Sequence, residues 1–418
     1  MIPLGLQHSM RLSPLGARVG EFSQPREGDV LMSKARQANA ERIRINTTQG
    51  RFIHIVIWSV SAAFLAWTSF RSVEWFLMKT SKGDDPFLIG DWLINFEGGF
   101  VRRGLVGQLI VATNLGVETT TALIQVLMIS SSVLLLVACL WMLWLSKPIL
   151  PWAIVILSPA FLLFPFLSFS GAYRKELLAL SALSLMALGV RKSARSLVWI
   201  GLIIFALSSV THEALILALP SVIWLVFLAR SRLIITRREA TSAVGLVALA
   251  AMWTGATVVA GSQAYDQSAD ICASVVDQGF SPHTCSGSIA FLADSPALAI
   301  ERVQLLLPDA WPHPILLVLA LVPLLLVGFV TLYWRLALVQ VLAIVPLYAI
   351  GTDYGRWIYF AVGLLSICAL AVSDRLSPVG GPIVWGIVAF GMLFWSVPNE
   401  STQFFLNPLR LAWWQLLN

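Results

Sequence analysis

Residues 91–105 read DWLINFEGGFVRRGL and lie between long apolar segments of the chain. The stretch holds two acids, Asp91 and Glu97, two adjacent arginines, Arg102 and Arg103, and three glycines. Acids can act as bases or metal ligands, and arginines bind phosphate or carboxylate oxygens through forked donors. Charge held at the apolar boundary of a membrane protein predicts a functional site. The alternative is an ordinary external loop whose charges pair with one another.

The composition places this stretch in a membrane protein. Hydrophobic residues make up 58% of the chain and charged residues 12%, with a mean hydropathy of +0.81. Soluble domains carry roughly 25% charged residues. Several apolar runs reach the length of about 20 residues that a bilayer-spanning helix needs. The sequence therefore predicts an all-α polytopic integral membrane protein with about eleven transmembrane helices.

The predicted spans follow from the apolar runs and the polar segments between them. The first three spans lie at 52–70, 121–145 and 149–169, the fourth runs from 173 to 191, and the fifth runs from 197 to 211. The sixth ends at 230, the seventh lies at 241–261, and the eighth runs from 314 to 334. The ninth ends at 351, the tenth ends at 374, and the eleventh lies at 382–397. The third span carries Pro151, Pro159 and Pro165, so we expect it to be kinked or broken. The fifth span is short.

Three regions are predicted along the chain. Residues 1–50 are polar and arginine-rich and have no apolar signal-peptide core, which indicates a disordered cytoplasmic tail. Residues 51–397 form the transmembrane helical domain, with outer loops at 71–120 and 262–313. Residues 398–418 contain four aromatic residues, Phe404, Phe405, Trp413 and Trp414, and are predicted to be an outer interfacial segment.

The distribution of charge gives the orientation. With the N-terminus inside, the inner segments hold 18 of the 28 basic residues and 6 of the 22 acidic residues, so they carry +12 and the outer segments −6. Positive charge favours the cytoplasmic side. We therefore expect a multi-pass protein of the bacterial inner membrane with a cytoplasmic N-terminus and an outward-facing site. The basic excess is a topology signal and indicates no nucleic-acid partner.

Two cysteines, Cys272 and Cys285, lie in the long loop placed outside. An oxidising compartment permits a disulfide, and the short segment between them closes easily. A metal site with His283 and His313 is the alternative, but the spacing matches no established zinc pattern. The disulfide is the preferred interpretation, and no metal site is assigned.

Four mixed-charge clusters fall at the predicted outer boundary. They are Asp91 to Arg103, then Arg174-Lys175-Glu176, His212-Glu213, and Asp353 with Arg356. A solvated loop explains one such cluster more easily than four. Glu176 and Glu213 each adjoin uninterrupted apolar helix, where burial of a charge without a partner is costly. The clusters therefore predict one shared site.

The residue types in these clusters suit a lipid-phosphate reaction. We expect the phosphate to be bound by Arg102, Arg103, Arg174, Lys175 and Arg356, with Asp353 beside them. An acid would deprotonate an acceptor hydroxyl, with Glu97 the first choice and with Asp91, Glu213 and His212 as further candidates. A divalent cation is a possible cofactor, and no cofactor is certain. The broken third span and short fifth span would open a lateral gap for a lipid tail.

Purely structural roles remain open for some of these residues. Asp91 suits a helix cap, His212 suits a structural interface as well as catalysis, and Arg356 suits a simple ion pair with Asp353 at a helix end.

The layout resembles the multi-spanning GT-C-type glycosyltransferases and the O-antigen-polymerase kind of bacterial envelope proteins. The two motifs Gly98-Gly99-Phe100-Val101-Arg102-Arg103-Gly104 and Asp353-Tyr354-Gly355-Arg356-Trp357 resemble signatures of uncharacterised envelope-polysaccharide membrane proteins. In GT-C enzymes an acid of the first outer loop acts in catalysis, and Asp84, Asp85, Asp91 and Glu97 occupy that loop here. The resemblance implies transfer or polymerisation of a polyprenyl-(di)phosphate-linked sugar.

A transporter or flippase of lipid-linked glycans is the alternative, because it also needs a basic cavity and broken helices. The sequence shows no internal repeat of the kind that many transporters contain. The predicted partners are therefore the lipid-linked sugar and the lipid bilayer, and the oligomeric state is left open.

Overall fold

A computed structural model of the chain describes residues 27–261 and 267–399. The chain divides into two compact units, Met1–Ile53 and His54–Asn418. The described part of the first unit is helical. The packing and the site reported below lie in the second unit.

Helices supply the regular structure of the described residues, which contain no strand. The first half comprises α1 (Glu27–Thr80), α2 (Gly90–Leu93), α3 (Gly104–Thr113), α4 (Gly116–Trp144), α5 (Ile149–Ile156), α6 (Phe164–Leu167), α7 (Glu176–Lys192), α8 (Arg195–Ser209) and α9 (Leu219–Ser231). The second half comprises α10 (Arg237–Gly261), α11 (Gln267–Asp277), α12 (Pro296–Ala310), α13 (Pro312–Leu326), α14 (Phe329–Leu332), α15 (Trp334–Ile350), α16 (Tyr354–Ala371) and α17 (Pro382–Met392). Short 3-10 helices lie at Phe169–Gly171, Glu213–Ala218, Pro282–Ser286 and Ala290–Leu292.

Five helical segments of the described residues are long and apolar enough to cross a membrane. They are Gln49–Thr80, Gly116–Trp144, Glu213–Ser231, Arg237–Val259 and Tyr354–Ala371. This confirms the helical membrane protein that the composition predicts. Each of the eleven predicted spans overlaps a helix, but most of these helices are shorter than a full span, so eleven crossings are not confirmed.

The centre of the helical bundle is α16, whose whole span is buried by protein. Next to it is α7, in which every residue from Glu176 to Val190 is buried, and which packs against α4, α8 and α16. The outer helices differ because α1 and α4 expose apolar side chains such as Phe70 and Leu127. These exposed apolar faces are the surfaces that suit contact with lipid.

The third predicted span is broken, as its prolines indicated. Helix α5 ends at Ile156, and α6 begins only at Phe164. Pro159 has no backbone N–H and cannot continue the helical ladder. The freed backbone is partly satisfied locally, because the Ser158 hydroxyl accepts a hydrogen bond from the backbone N–H of Ala160 at 3.2 Å.

The first outer loop is shorter than the sequence suggested. Helix α1 continues to Thr80, and α4 begins at Gly116, so both ends of the predicted loop 71–120 are helical. The Arg71 guanidinium pairs with Glu74 at 2.6 Å on an exposed face, which lets charged residues extend an apolar helix. The predicted polar loop 262–313 likewise contains the two helices α11 and α12.

The predicted terminal segments are only partly described. Residues 27–50, expected to be a disordered tail, form the first part of α1, whereas residues 1–26 lie outside the described residues. The four aromatic residues of the predicted interfacial segment, Phe404, Phe405, Trp413 and Trp414, also lie outside them.

Charged side chains gather at both ends of the central helices. At one end, Arg191 in the last turn of α7 and Arg232 directly after α9 bind Asp374 at 2.9 and 3.1 Å. These three residues all belong to segments predicted to be inside. The residues predicted to be outside lie at the opposite ends of α7, α9 and α16 and form the site described next.

Candidate functional site

Arg103 lies at the start of α3 and joins distant acids. Its backbone adopts the left-handed region with φ of 67°, and the following Gly104 approaches the Phe96 ring so closely that a Cβ there would lie 2.3 Å from a ring carbon. The Arg103 Nε donates to both oxygens of Glu213, at 3.0 and 2.8 Å. Its Nη1 donates to Oδ1 of Asp91 at 2.9 Å. The adjacent helix start therefore fixes the guanidinium between two acids.

Lys175 is the second cation that contacts the Asp91 carboxylate. Its Nζ lies 3.1 Å from Asp91 Oδ2 and donates to the carbonyl oxygens of Asp91 and Thr211 at 2.9 and 3.3 Å. The ammonium also lies 4.7 Å above the Trp92 ring. Burial by itself would raise the pKa of Asp91, but Lys175 and Arg103 hold that pKa well below its usual range. Asp91 is therefore an ionised, fully engaged carboxylate.

His212 caps the 3-10 helix that leads into α9. Its Nδ1 accepts a hydrogen bond from the backbone N–H of Ala214 at 3.1 Å, which places the ring proton on Nε2. That nitrogen lies 4.0 Å from Oε1 of Glu176. Burial, with Arg103 nearby, lowers the pKa of His212 well below its usual range, so the ring is neutral at pH 7.

Arg356 holds the other side of the cluster from the first turn of α16. Its Nη1 lies 2.9 Å from Asp353 Oδ2, and its Nε lies 3.3 Å from Glu176 Oε1. Asp353 also accepts a hydrogen bond from Asn399 Nδ2 at 3.1 Å. Burial would raise the pKa of Asp353, but Arg356 and Arg174 lower it. The predicted ion pair between Asp353 and Arg356 is therefore present inside a larger network.

Glu176 belongs to one of the four predicted clusters, although no individual role was predicted for it. Its side chain is 1% exposed, and neither carboxylate oxygen makes a hydrogen bond in the structure. Arg356 and His212 are its polar neighbours. The signal in the sequence was its position, since Glu176 directly precedes a long apolar helix. An individual role could have been predicted on the same ground.

Two cations lie on the outer side of the cluster. The side chain of Arg102 is 40% exposed, and its Nη1 is 3.6 Å from Glu213 Oε1. Arg174 donates from Nη1 to the carbonyl oxygen of Phe87 at 2.7 Å and lies against the Phe87 ring. The cluster holds five cations, Arg102, Arg103, Arg174, Lys175 and Arg356, against four carboxylates, Asp91, Glu176, Glu213 and Asp353. The net positive charge therefore lies at its least paired members, Arg102 and Arg174.

Glu97 does not join this cluster. It is exposed, and its Oε1 accepts a hydrogen bond from Gln108 Nε2 at 2.9 Å. The sequence placed it first among the acids because it adjoins two glycines. The glycines have a different use here, since Gly98 and Gly99 lie against Gln267 of α11, where a Cβ would come within 2.7 and 2.2 Å of it. They allow close packing of two segments of protein.

Residues 267–286, which contain a disulfide, pack on the stretch 91–105, and we name this segment the cover. Cys272 of α11 and Cys285 form a disulfide with Cα atoms 5.7 Å apart. Asn95 Nδ2 donates to the Ser274 hydroxyl at 2.8 Å, and Gln278 Nε2 donates to the carbonyl oxygen of Val111 at 3.1 Å. The cover therefore holds the stretch 91–105, which we name the site loop, in place from one side.

The two cysteines of the metal alternative form the disulfide instead. Both sulfurs are used in the disulfide, and His313 is buried against the carbonyl oxygens of Ala310 and Pro398. Within residues 27–261 and 267–399, no group of three or more His, Cys, Asp or Glu side chains is arranged to hold a metal ion.

Comparison with known proteins gives a match to a protein family. A family model described as uncharacterised membrane protein Rv1490 matches residues 57–298, which is more than half of the chain. The matched region contains the site loop, the start of α7, the His212-Glu213 turn and the disulfide. No curated protein and no solved structure matches the chain. The matched family differs from the GT-C and polymerase families that the layout resembles, although it is a membrane protein family. The chain belongs to the family of the uncharacterised membrane protein Rv1490.

Proposed function

We propose that the protein is a membrane glycosyltransferase or polysaccharide polymerase that uses a polyprenyl-(di)phosphate-linked sugar at the outer face of the bacterial inner membrane. The observation that carries the proposal is the mixed-charge cluster at one end of the apolar helices. Its outer members, Arg102 and Arg174, are cations with incomplete pairing. A lipid-linked phosphate has its charge at this level of a membrane, with its apolar chain in the hydrocarbon.

In this proposal the phosphate oxygens bind Arg102 and Arg174. Arg103, Lys175 and Arg356 lie behind them and are held by carboxylates, so they supply a fixed positive field. The acceptor hydroxyl oxygen forms a bond to the anomeric carbon of the sugar. The bond from that carbon to the phosphate oxygen breaks, and the phosphate leaves with the electron pair. The arginines stabilise the charge that develops on it.

The hydroxyl proton passes to a carboxylate of the cluster. Glu213 is the better candidate than Asp91, because its side chain is 18% exposed and that of Asp91 only 10%. Glu213 also lies next to Arg102, where the phosphate would bind. We therefore propose Glu213 as the base and Asp91 as the residue that orients Arg103 and Lys175. Glu97 is a poor candidate because it is bound to Gln108 outside the cluster.

The number of membrane crossings, the type of bundle and its orientation are part of the same proposal. Eleven crossings in a GT-C-like or polymerase-like bundle, with the N-terminus in the cytoplasm, would place the cluster on the exterior face. The charge at the two ends of α7, α9 and α16 supports this, since the inner end carries Arg191 and Arg232 around a single Asp374.

The proposed activity is tested with purified protein in lipid nanodiscs and radiolabelled polyprenyl-linked glycans. We expect longer or transferred glycan products, and a loss of at least about tenfold when Arg102 or Arg174 is replaced by glutamine. Arg302→Gln is the matched control, because Arg302 is an exposed arginine paired with Asp294 away from the cluster. Product formation that survives both cluster substitutions would refute the assignment of these arginines.

A transporter or flippase of lipid-linked glycans is the second candidate, favoured by the broken segment from α5 to α6. Sealed liposomes distinguish the two functions. Movement of a labelled lipid-linked glycan between leaflets, with no change in its chain length, would favour the transporter and contradict the transferase.

A further inference from the structure

Three aromatic rings form a continuous row from the site loop to α10. The Phe96 ring stacks on the Phe100 ring, with ring centroids 5.0 Å apart. The Phe100 ring in turn meets Trp253 edge to face, with centroids 6.2 Å apart. Phe96 and Phe100 belong to the site loop, and Trp253 belongs to α10. We name these three rings the aromatic row.

The loop end of the row adjoins the charged cluster. The Phe96 ring lies on Gly104, where a Cβ would come within 2.3 Å of a ring carbon, and Gly104 directly follows Arg103. Phe100 precedes Arg102 by two residues. The rings are therefore joined by contact to the segment that carries both arginines.

The helix end of the row also lies near the cluster. Thr254, next to Trp253 on α10, donates from its hydroxyl to the carbonyl oxygen of Ser209 at 3.0 Å. Ser209 ends α8 and precedes Glu213 by four residues. Both ends of the row therefore lie close to the boundary at which the cluster is built.

Two of the three rings are open to a ligand. Phe100 is 40% exposed and Trp253 is 39% exposed. On α10, Leu249 lies one turn before Trp253 and is 61% exposed, and Met252 is 62% exposed. An exposed apolar strip therefore continues from the rings along a helix that is apolar enough to span a membrane. At the other end of this surface is Arg102, whose side chain is 40% exposed.

The exposed ring of Phe100 is held in a fixed position. The loop is fixed before Phe100 by the packing of Gly98 and Gly99 on Gln267, and after it by the contact of Phe96 with the start of α3. A group that is already fixed loses little conformational freedom when a ligand binds. An exposed apolar patch with a charged rim is a common mark of a binding surface.

We infer that the aromatic row and the adjoining strip of α10 bind the apolar chain of a membrane lipid whose phosphate lies on Arg102. A cation at one end of an exposed aromatic and aliphatic surface is complementary to an amphiphile with an anionic head and an apolar tail. The lipid would then dock between the site loop and α10, and not at the broken third span. That the lipid is a polyprenyl phosphate rests on the proposed function.

Other ligands fit this surface less well. The side chains of Leu249 and Met252 offer no hydrogen bonds to sugar hydroxyls, and covering hydroxyls with apolar groups is costly. A free phosphate would bind Arg102 and leave the rings unused. A lipid with an anionic head uses both parts of the surface.

The test uses polyprenyl phosphate that carries a diazirine on the isoprene unit nearest the phosphate, with full-length protein in nanodiscs. We expect cross-links at residues 96–100 or in α10 at residues 249–253. Excess unlabelled polyprenyl phosphate should remove them, and a water-soluble oligosaccharide should not. Cross-links confined to other exposed faces, such as that of α17, would overturn the inference. Removal of the cross-links by the oligosaccharide would assign the rings to a glycan and overturn it as well.

A pair of tryptophan substitutions supplies a second arm. Trp253→Ala shortens the row, whereas Trp311→Ala removes a tryptophan that is 68% exposed just before α13. We expect about a fivefold loss of affinity for polyprenyl phosphate in the first variant and wild-type affinity in the second. The affinity for inorganic phosphate should be the same in Trp253→Ala and the wild type. No loss for the lipid, or an equal loss for inorganic phosphate, would contradict the inference. The cross-link map of the wild-type protein decides if Trp253→Ala fails to fold.

Binding and turnover separate this inference from the proposed function. Lipid cross-linked at the aromatic row without any glycan product would refute the transferase and leave the lipid surface supported. Glycan product formed by Trp253→Ala with an unchanged KM for the lipid donor would support the transferase and refute the lipid surface.

Discussion

Arg103 binds Glu213 side-on, with Nε 3.0 and 2.8 Å from the two carboxylate oxygens and Nη2 also donating to Oε1. The two residues are 110 positions apart in the chain. Through this contact the start of α3 is joined to the helical turn that leads into α9. The planar guanidinium is what allows several parallel donors, and a lysine ammonium cannot reproduce that geometry.

Replacement of Arg103 by lysine should destabilise the protein. The positive charge would remain, but the hydrogen bonds to Glu213 or Asp91 would be lost in a buried site. We expect a cost of about 1–3 kcal/mol. Thermal unfolding in detergent measures it. Arg102→Lys is the matched control, because Arg102 is 40% exposed and only 3.6 Å from Glu213, and it should change stability by less than about 0.5 kcal/mol. Equal loss in both variants would contradict the structural role of Arg103.

Neutralisation of Glu97 should have little effect. Glu97→Gln is expected to retain transfer activity within about twofold, because Gln108 can still hydrogen bond to the new side chain outside the cluster. Glu213→Gln is expected to lower the rate by about 10²–10⁴-fold, since it removes the proposed base. The assay is glycan product per amount of inserted protein. A large loss from Glu97→Gln alone would restore Glu97 as the first acid.

The stability of the folded protein should decrease as the pH decreases, over a pH window set by His212. The native pKa of His212 is well below its usual range, so below about pH 6.5 the unfolded chain binds a proton that the folded protein does not. Stability is therefore complete above that pH and declines as the pH decreases toward the native pKa. The groups that face the ring are Arg103, Glu213, Asp91, Lys175 and Glu176.

His212→Asn tests this dependence, because asparagine can cap the following helix without titrating. Melting temperatures between pH 7.5 and 5.5 should decline in the wild type and remain flatter in the variant. His283→Asn controls for an exposed histidine. Asp91 contributes in a separate window, since its lowered pKa makes stability decline only below about pH 4. A wild-type profile that is flat down to pH 5 would contradict a neutral, buried His212.

Loss of the disulfide should loosen the cover. Cys272 and Cys285 are 13 residues apart, and closing a loop of that size stabilises a protein by about 3 kcal/mol in the chain-entropy description. Cys272→Ser with Cys285→Ser should lower the melting temperature and increase proteolysis of α11. Dithiothreitol should have the same effect on the wild type and none on the double variant. An equal response of both proteins to reductant would show that the bond is unimportant for the cover.

Cysteine labelling tests the orientation. His283→Cys in the cover and Arg237→Cys at the start of α10 are exposed positions at the two ends of the bundle. The native free cysteines Cys139 and Cys368 are buried and give a low background. In intact cells, an impermeant maleimide should label position 283 and not position 237. Labelling of both positions from outside would refute the proposed topology.

Much of the site could be predicted from the sequence. Asp91, Arg103, Lys175, Glu213 and Arg356 come from separate segments, yet the structure brings them together. The reason is that charged residues at the ends of alternate apolar helices must lie at one boundary, where they can pair with each other. The positions of the apolar runs and of the charged residues were sufficient for that conclusion.

The sequence could not predict which acid of the loop joins the charged cluster. Glu97 and Asp91 are six residues apart in the same loop, and only the packing of the Phe96 ring on Gly104 and of α11 on Gly98 and Gly99 decides which acid faces inward. The extension of α1 to Thr80 was missed for a related reason. The predicted loop starts at residue 71, but Arg71 and Glu74 pair on one exposed helical face. Such pairings depend on three-dimensional spacing that composition does not contain.

The burial of α16 bears on how the protein responds to the thickness of its membrane. Lipid cannot reach this helix, whereas the span of α1 is only 17% buried. A mismatch between hydrophobic length and bilayer thickness is normally absorbed by tilting or by snorkelling of lipid-exposed helices. Here the outer helices would absorb it, and Arg356 at the start of α16 would keep its distance from Glu176. The ionic cluster would then keep the same geometry in thin and thick bilayers.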